Sequence, residues 1–65
     1  MKLIIITEKS KKIEIEIIKN GDSIIKSCNS YSLESNDYLY LFDENERILN
    51  RFYIPNYNIT YKYLN

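Results

Sequence analysis

Apolar and polar residues alternate with a period of two along much of this chain, and short polar clusters interrupt the alternation. The clearest stretch is Ile13-Glu14-Ile15-Glu16-Ile17, which as a strand turns one row of isoleucines toward a core and the glutamates toward solvent. Ahead of it, Lys2 to Thr7 is a β-branched apolar run closed by Glu8-Lys9-Ser10-Lys11-Lys12, which predicts a buried first strand and its turn. Asn20-Gly21 follows the isoleucine row. That dipeptide is a strong hairpin signal, because a type I′ turn needs positive φ at both central positions. Ser23 to Cys28 is then the returning strand. A two-residue turn sets Ile17 opposite Ile24 and Ile15 opposite Lys26, whereas a three-residue loop sets Lys26 opposite Glu16 as an ion pair. The pattern fits either register.

Residues 29–37 form the longest polar stretch, which reads as a loop or one irregular extended segment around Tyr31 and Leu33, with room for one helical turn near residues 30–36. Tyr38 to Phe42 resumes an apolar run. Asp43-Glu44-Asn45-Glu46 makes a turn in which Asn45 suits the left-handed conformation, and Arg47 to Tyr53 returns as a second hairpin. Ile54-Pro55-Asn56 breaks the chain, since proline offers no N–H to a ladder. Tyr57, Ile59, Tyr61 and Tyr63 then alternate with polar residues in a last strand. No apolar spacing supports a helix of three turns. The expected fold is therefore all-β: an antiparallel meander of about five or six strands, curled into a small SH3-like or partly open barrel. Its expected core is Ile13, Ile15, Ile17, Leu39, Leu41 and Leu49.

Length sharpens this picture. A chain of 65 residues buries only about 60% of its unfolded surface, so residues 1–65 are expected to form a single β domain. One cysteine, Cys28, and no histidine rule out an intrachain disulfide and the usual zinc sets. Stability must come from packing, with or without association. The N-terminal apolar run stops at Thr7 and Glu8, short of the ~7–15 residues of a secretory core, and no stretch is long enough to span a membrane. These features predict a cytoplasmic location with no membrane engagement, so the Asn58-Ile59-Thr60 sequon is a chance occurrence. Ile, Lys, Asn and Tyr are heavily used, a bias that suits an AT-rich genome such as that of a low-GC bacterium or a phage or plasmid within one.

The formal net charge is zero, which argues against a general nucleic-acid binder. The distribution is uneven, however: Glu34, Asp37, Asp43, Glu44 and Glu46 face only Arg47 across residues 27–50, and six lysines precede them. No metal is expected, because the acidic turn lacks the spacing of an EF-hand loop. No catalytic group is expected either. Cys28 and the serines have no histidine to activate them, Cys28 fits a core as a small hydrophobe, and a single glycine cannot build a phosphate-cradling loop. No cofactor or small-molecule substrate follows.

The tyrosines carry the functional expectation. Tyr38, Tyr40 and Phe42 occupy one face of a strand and Leu39 and Leu41 the other, with the returning strand placing Leu49 among the leucines and Ile48 and Phe52 among the aromatics. Both faces are apolar, and a core covers only one. Tyrosine supplies rigid contact area with a polar tip at small entropic cost. Flanked by Asp37, Asp43, Glu44 and Glu46, these rings suit a basic protein surface better than phosphate. The expected function is a non-enzymatic protein-binding module with partner-binding residues Asp37, Tyr38, Tyr40, Phe42, Asp43, Glu44 and Glu46. Its partner would be a basic host protein, such as part of a nucleic-acid-binding complex. In specific form this is a small phage or mobile-element inhibitor of a host nucleic-acid machine, of anti-defence or anti-CRISPR type. Two alternatives stand beside it: a nucleic-acid-binding barrel using Lys9, Lys11, Lys12 and Lys62, and a structural homodimer.

Overall fold

In a computed structural model of the chain, described for residues 1–34 and 37–64, seven strands form two open sheets. Strands β1 (Lys2–Lys9), β2 (Lys12–Lys19), β3 (Asp22–Cys28) and β7 (Asn58–Tyr63) make the first sheet, in the order β3-β2-β1-β7. Strands β4 (Ser30–Glu34), β5 (Tyr38–Phe42) and β6 (Ile48–Tyr53) make the second, in the order β4-β5-β6. Among the described residues there is no helix.

The core lies between the sheets and follows from the period-two pattern. On the first sheet Ile4 stands opposite Ile17, and Ile6 opposite Ile15. On the second, Leu39 and Leu41 of the central strand face them. Ile4, Ile6, Ile15, Leu39 and Leu41 are 0% exposed, and Ile17, Cys28 and Ile54 complete the buried cluster. Each buried isoleucine or leucine contributes about 1.5–3 kcal/mol, and together they take the place of the staples this chain lacks. Ile13, Tyr31, Leu33, Phe52, Tyr57 and Ile59 pack around the cluster half-buried.

The first hairpin takes the two-residue register, with Ile17 opposite Ile24 and Ile15 opposite Lys26. Asn20 at φ 52° and Gly21 at φ 88° supply the two positive angles of the turn. Only Asn29 separates β3 from β4, and its N–H donates to the Phe42 carbonyl at 2.9 Å. The chain thus changes sheets in one residue.

Several expectations are corrected here. The barrel does not close, because no described strand of one sheet pairs with a strand of the other. Nor is the fold a pure antiparallel meander. After β6 the chain turns through Pro55 and Asn56 (φ 62°) and returns to the first sheet, where β7 runs parallel to β1 with Leu3 opposite Asn58 and Glu8 opposite Tyr63. Of the two forms expected for the polar stretch, a loop or an irregular extended segment, the chain takes the extended one, as the regular strand β4, whose Tyr31 and Leu33 turn inward while its serines turn out; Ser35 and Asn36, within the suggested helical turn, lie outside the described residues. In the second hairpin the left-handed residue is Glu46 (φ 62°), not Asn45. A three-residue loop built as a type I turn places that angle at its last position, whatever residue stands there.

The inward assignment of Leu49 also fails. A β-bulge between Leu41 and Phe42 leaves Phe42 opposite Ile48 and Leu41 opposite Asn50, so Leu49 is the extra residue and is 47% exposed. Past the bulge the alternation shifts by one. Phe52 therefore stands opposite Leu39 on the core side, not among the tyrosines.

Candidate functional site

Because Leu39 and Leu41 point into the core, Tyr38, Tyr40 and Phe42 project from the outer face of the second sheet. The strand pairings lay this face out in three rows. Glu34, Tyr38 and Tyr53 form one, Ser32, Tyr40 and Arg51 the next, and Ser30, Phe42 and Ile48 the third. On the β4 side the neighbours of Tyr40 and Phe42 are the small Ser32 and Ser30.

The rings touch one another. Tyr38 and Tyr53 pack tilted across the ladder with centroids 5.3 Å apart, Tyr38 and Tyr40 lie at 6.4 Å, and Tyr40 and Phe42 are stacked at 6.4 Å with 19° between their planes. These spacings fall within the range of favourable aromatic pairs. Arg51 lies over Tyr38 with its guanidinium carbon 5.4 Å from the ring centre, a cation–π contact in the middle of the face. Tyr38, Tyr40 and Phe42 are half-buried, and Tyr53 and Ile48 are exposed.

The acidic residues stand at the two ends of β5 and differ in what they are free to do. The Asp43 carboxylate is engaged in its own loop, where one oxygen accepts from the backbone N–H of Asn45 at 2.8 Å and of Arg47 at 2.9 Å. Its backbone closes the same loop through Asp43 N–H to the Arg47 carbonyl at 2.9 Å. Glu44 and Glu46 project from the tip into solvent. At the other end the Asp37 carbonyl accepts the Ile54 N–H at 2.7 Å, which ties the start of β5 to the chain leaving β6, while the residue itself is exposed.

The sequence-derived site is thus brought together in part. Tyr38, Tyr40 and Phe42 share one surface, Asp37 borders one end, and Asp43, Glu44 and Glu46 form the loop at the other. Arg51 and Tyr53 were missed. The bulge carries both onto the tyrosine face, and no residue type in the sequence marks it.

Elsewhere, the β1–β7 register brings Lys62 opposite Thr7, at the end of the first sheet that carries Lys9, Lys11 and Lys12. Lys9 there stands 4.0 Å from the Glu14 carboxylate. Cys28 is buried, and burial pushes its thiol above its ordinary range, away from the reactive thiolate. Among the described residues no three potential ligands gather where they could hold a metal ion, and no helix is long and apolar enough to cross a membrane. Compared with known proteins, the chain matches no family, no curated protein and no solved structure.

Proposed function

We propose that this chain is a non-enzymatic protein-binding module whose contact surface is the outer face of the three-stranded sheet. The observation that carries this reading is the continuous ladder of Tyr53, Tyr38, Tyr40 and Phe42, with Arg51 laid over it, on the face turned away from the core. Aromatic residues and arginine concentrate binding energy at protein interfaces, where they fill desolvated pockets. Glu44 and Glu46 at one end and Asp37 at the other suit a partner with basic residues around an apolar centre, and such complementary charge raises the association rate. A nucleic-acid-handling host protein has that character, so the specific form of the proposal is a small inhibitor of such a machine.

The test is capture of a partner from a host lysate, followed by binding kinetics with purified components. Tyr40→Ala should weaken binding by ~2 kcal/mol or more with the fold retained. Glu44→Gln with Glu46→Gln should slow association and flatten its salt dependence; Asp43 is left intact because it holds the loop. Unchanged kinetics in both variants would move the interface elsewhere. The basic end at Lys9, Lys11, Lys12 and Lys62 supports a second reading as a nucleic-acid binder. That reading requires affinity for DNA or RNA that falls steeply as salt rises.

A further inference from the structure

β3 is an edge strand of the first sheet, and all its residues but Cys28 are exposed. The turn at Asn20-Gly21 decides which of its backbone groups are free. In a two-residue hairpin the closing pair, here Lys19 and Asp22, is hydrogen-bonded, and the alternation of an antiparallel ladder then directs the N–H and C=O of Asp22, Ile24 and Lys26 toward β2. Those of Ser23, Ile25 and Ser27 point away from the sheet. Ile24 and Ile25, on opposite faces of this strand, are 49% and 58% exposed.

We propose that β3 pairs antiparallel with β3 of a second copy of this chain, about a two-fold axis through Ile24. The run Asp22-Ser23-Ile24-Ile25-Lys26 is self-complementary about that point. Asp22 meets the partner's Lys26 at each end, Ser23 and Ile25 exchange backbone hydrogen bonds with the partner's Ile25 and Ser23, and Ile24 meets its own copy. A symmetric interface demands this reciprocity, in which residue i contacts j and j contacts i. Both charges are available, since the one ion pair within 4 Å among the described residues is Lys9 with Glu14.

The neighbouring surface fits the same partner. An open groove of about 430 Å³ lies beside Ile24, with Ile17, Phe52, Ile54 and Tyr57 in its walls and Lys19 and Asp22 at its rim. The partner's Ile24 falls at a non-hydrogen-bonded position, where facing Cα atoms are only about 4.5 Å apart, and so extends the apolar wall of this groove. A lysine on an edge strand ordinarily discourages pairing. In this register Lys26 is matched by an acid, whereas a shift of one residue to an Ile25-centred axis sets it against Ile24. The other edges are less suited: β6 carries the bulge, β4 is the shorter strand, and β7 has Lys62 as its one charged residue and so no acid to match it. Tyr53 of the tyrosine face also lines this groove, but β3 belongs to the other sheet, so variants at Asp22 and Lys26 test this proposal apart from the tyrosine ladder.

The experiment is sedimentation of the full chain over roughly 1 µM to 1 mM, with charge variants read in parallel. A reversible dimer is expected. Lys26→Asp and Asp22→Lys should each weaken it by ~10-fold or more, and the double charge swap should bring it back to within ~3-fold of the original. Amide hydrogen exchange gives a readout that needs no variant. The Ser23 and Ile25 amides should gain protection as concentration rises, while the Ile24 amide, bonded to β2, is protected throughout. Two results would each overturn the proposal: a chain monomeric over the whole range, or a dimer as tight in Lys26→Asp as in the original with no concentration-dependent protection at Ser23 and Ile25.

Discussion

Arg51 stands directly opposite Tyr40 across the β5–β6 ladder and lays its guanidinium over the neighbouring Tyr38 ring. One side chain therefore spans two rows of the aromatic face and places a positive charge at its centre, between acidic ends. At so open a site the cation–π contact itself is worth only about 0.5–1 kcal/mol. Arg51→Ala should accordingly shift unfolding by less than ~1 kcal/mol, yet cost ~2 kcal/mol in binding if the face is an interface, because arginine is a frequent anchor there. Denaturant unfolding and calorimetric titration with the captured partner separate the two quantities.

The bulge in the second hairpin makes a sharp contrast between two leucines. Leu41→Ala opens a cavity in the buried cluster and should cost on the order of 2–5 kcal/mol. Leu49→Ala removes a half-exposed side chain at the extra residue and should cost under about 0.5 kcal/mol. Equal costs in chemical denaturation would mean that the alternation continues unbroken through β6.

Left-handed backbone angles give two substitutions of opposite sign. Gly21 has φ 88° and open space around the position of a Cβ, so Gly21→Val would suffer from conformation alone and should lose at least ~1 kcal/mol. Glu46 carries φ 62° with a side chain that disfavours it. Glu46→Gly should therefore gain roughly 0.5–1 kcal/mol. Thermal unfolding of the two variants beside the parent reads both signs.

Tyr31, wedged between the sheets, holds its proton above the usual tyrosine range. Burial is the main cause, and Tyr61, Glu8, Tyr63 and Cys28 add to it. Its folded pKa thus lies above the unfolded value. The associated stability is fully present below the unfolded pKa and is lost as pH rises through the folded one. Stability should fall at strongly alkaline pH, and Tyr31→Phe should lessen that fall. Spectrophotometric titration of tyrosinate should show one ring ionising late in the parent and not in the variant.

Much of the first sheet was legible because its signals are local. The isoleucine alternation set the inner row of β2, and Asn20-Gly21 set the turn, since only those residue types take positive φ cheaply. The choice of Leu39 and Leu41 as the inner face of β5 also agrees with the structure. What sequence reading missed is long-range or depends on one inserted residue. Leu49 and Phe52 exchanged sides because of a bulge that no residue type announces, and β7 joined β1 through a crossover that alternation within β7 does not encode. Ile54 entered the core from a segment marked by proline as a break. The Tyr38, Tyr40 and Phe42 face was readable for the same reason as β2; its completion by Arg51 and Tyr53 was not.

The parallel pairing of β1 with β7 also has a kinetic side. It joins residues 3–8 to residues 58–63, almost the greatest separation this chain permits, so the loop closed by that contact is among the most costly in entropy. The hairpins β1–β2, β2–β3 and β5–β6 are local and able to form early, whereas β1 gains its second neighbour only by closing nearly the whole chain into a loop. Folding should therefore be slow for a domain of this size, in the millisecond-to-second range typical of non-local β topologies. Until β7 docks, an isoleucine-rich strand is left with an open edge, and that interval is when the chain is most exposed to pairing with the wrong strand.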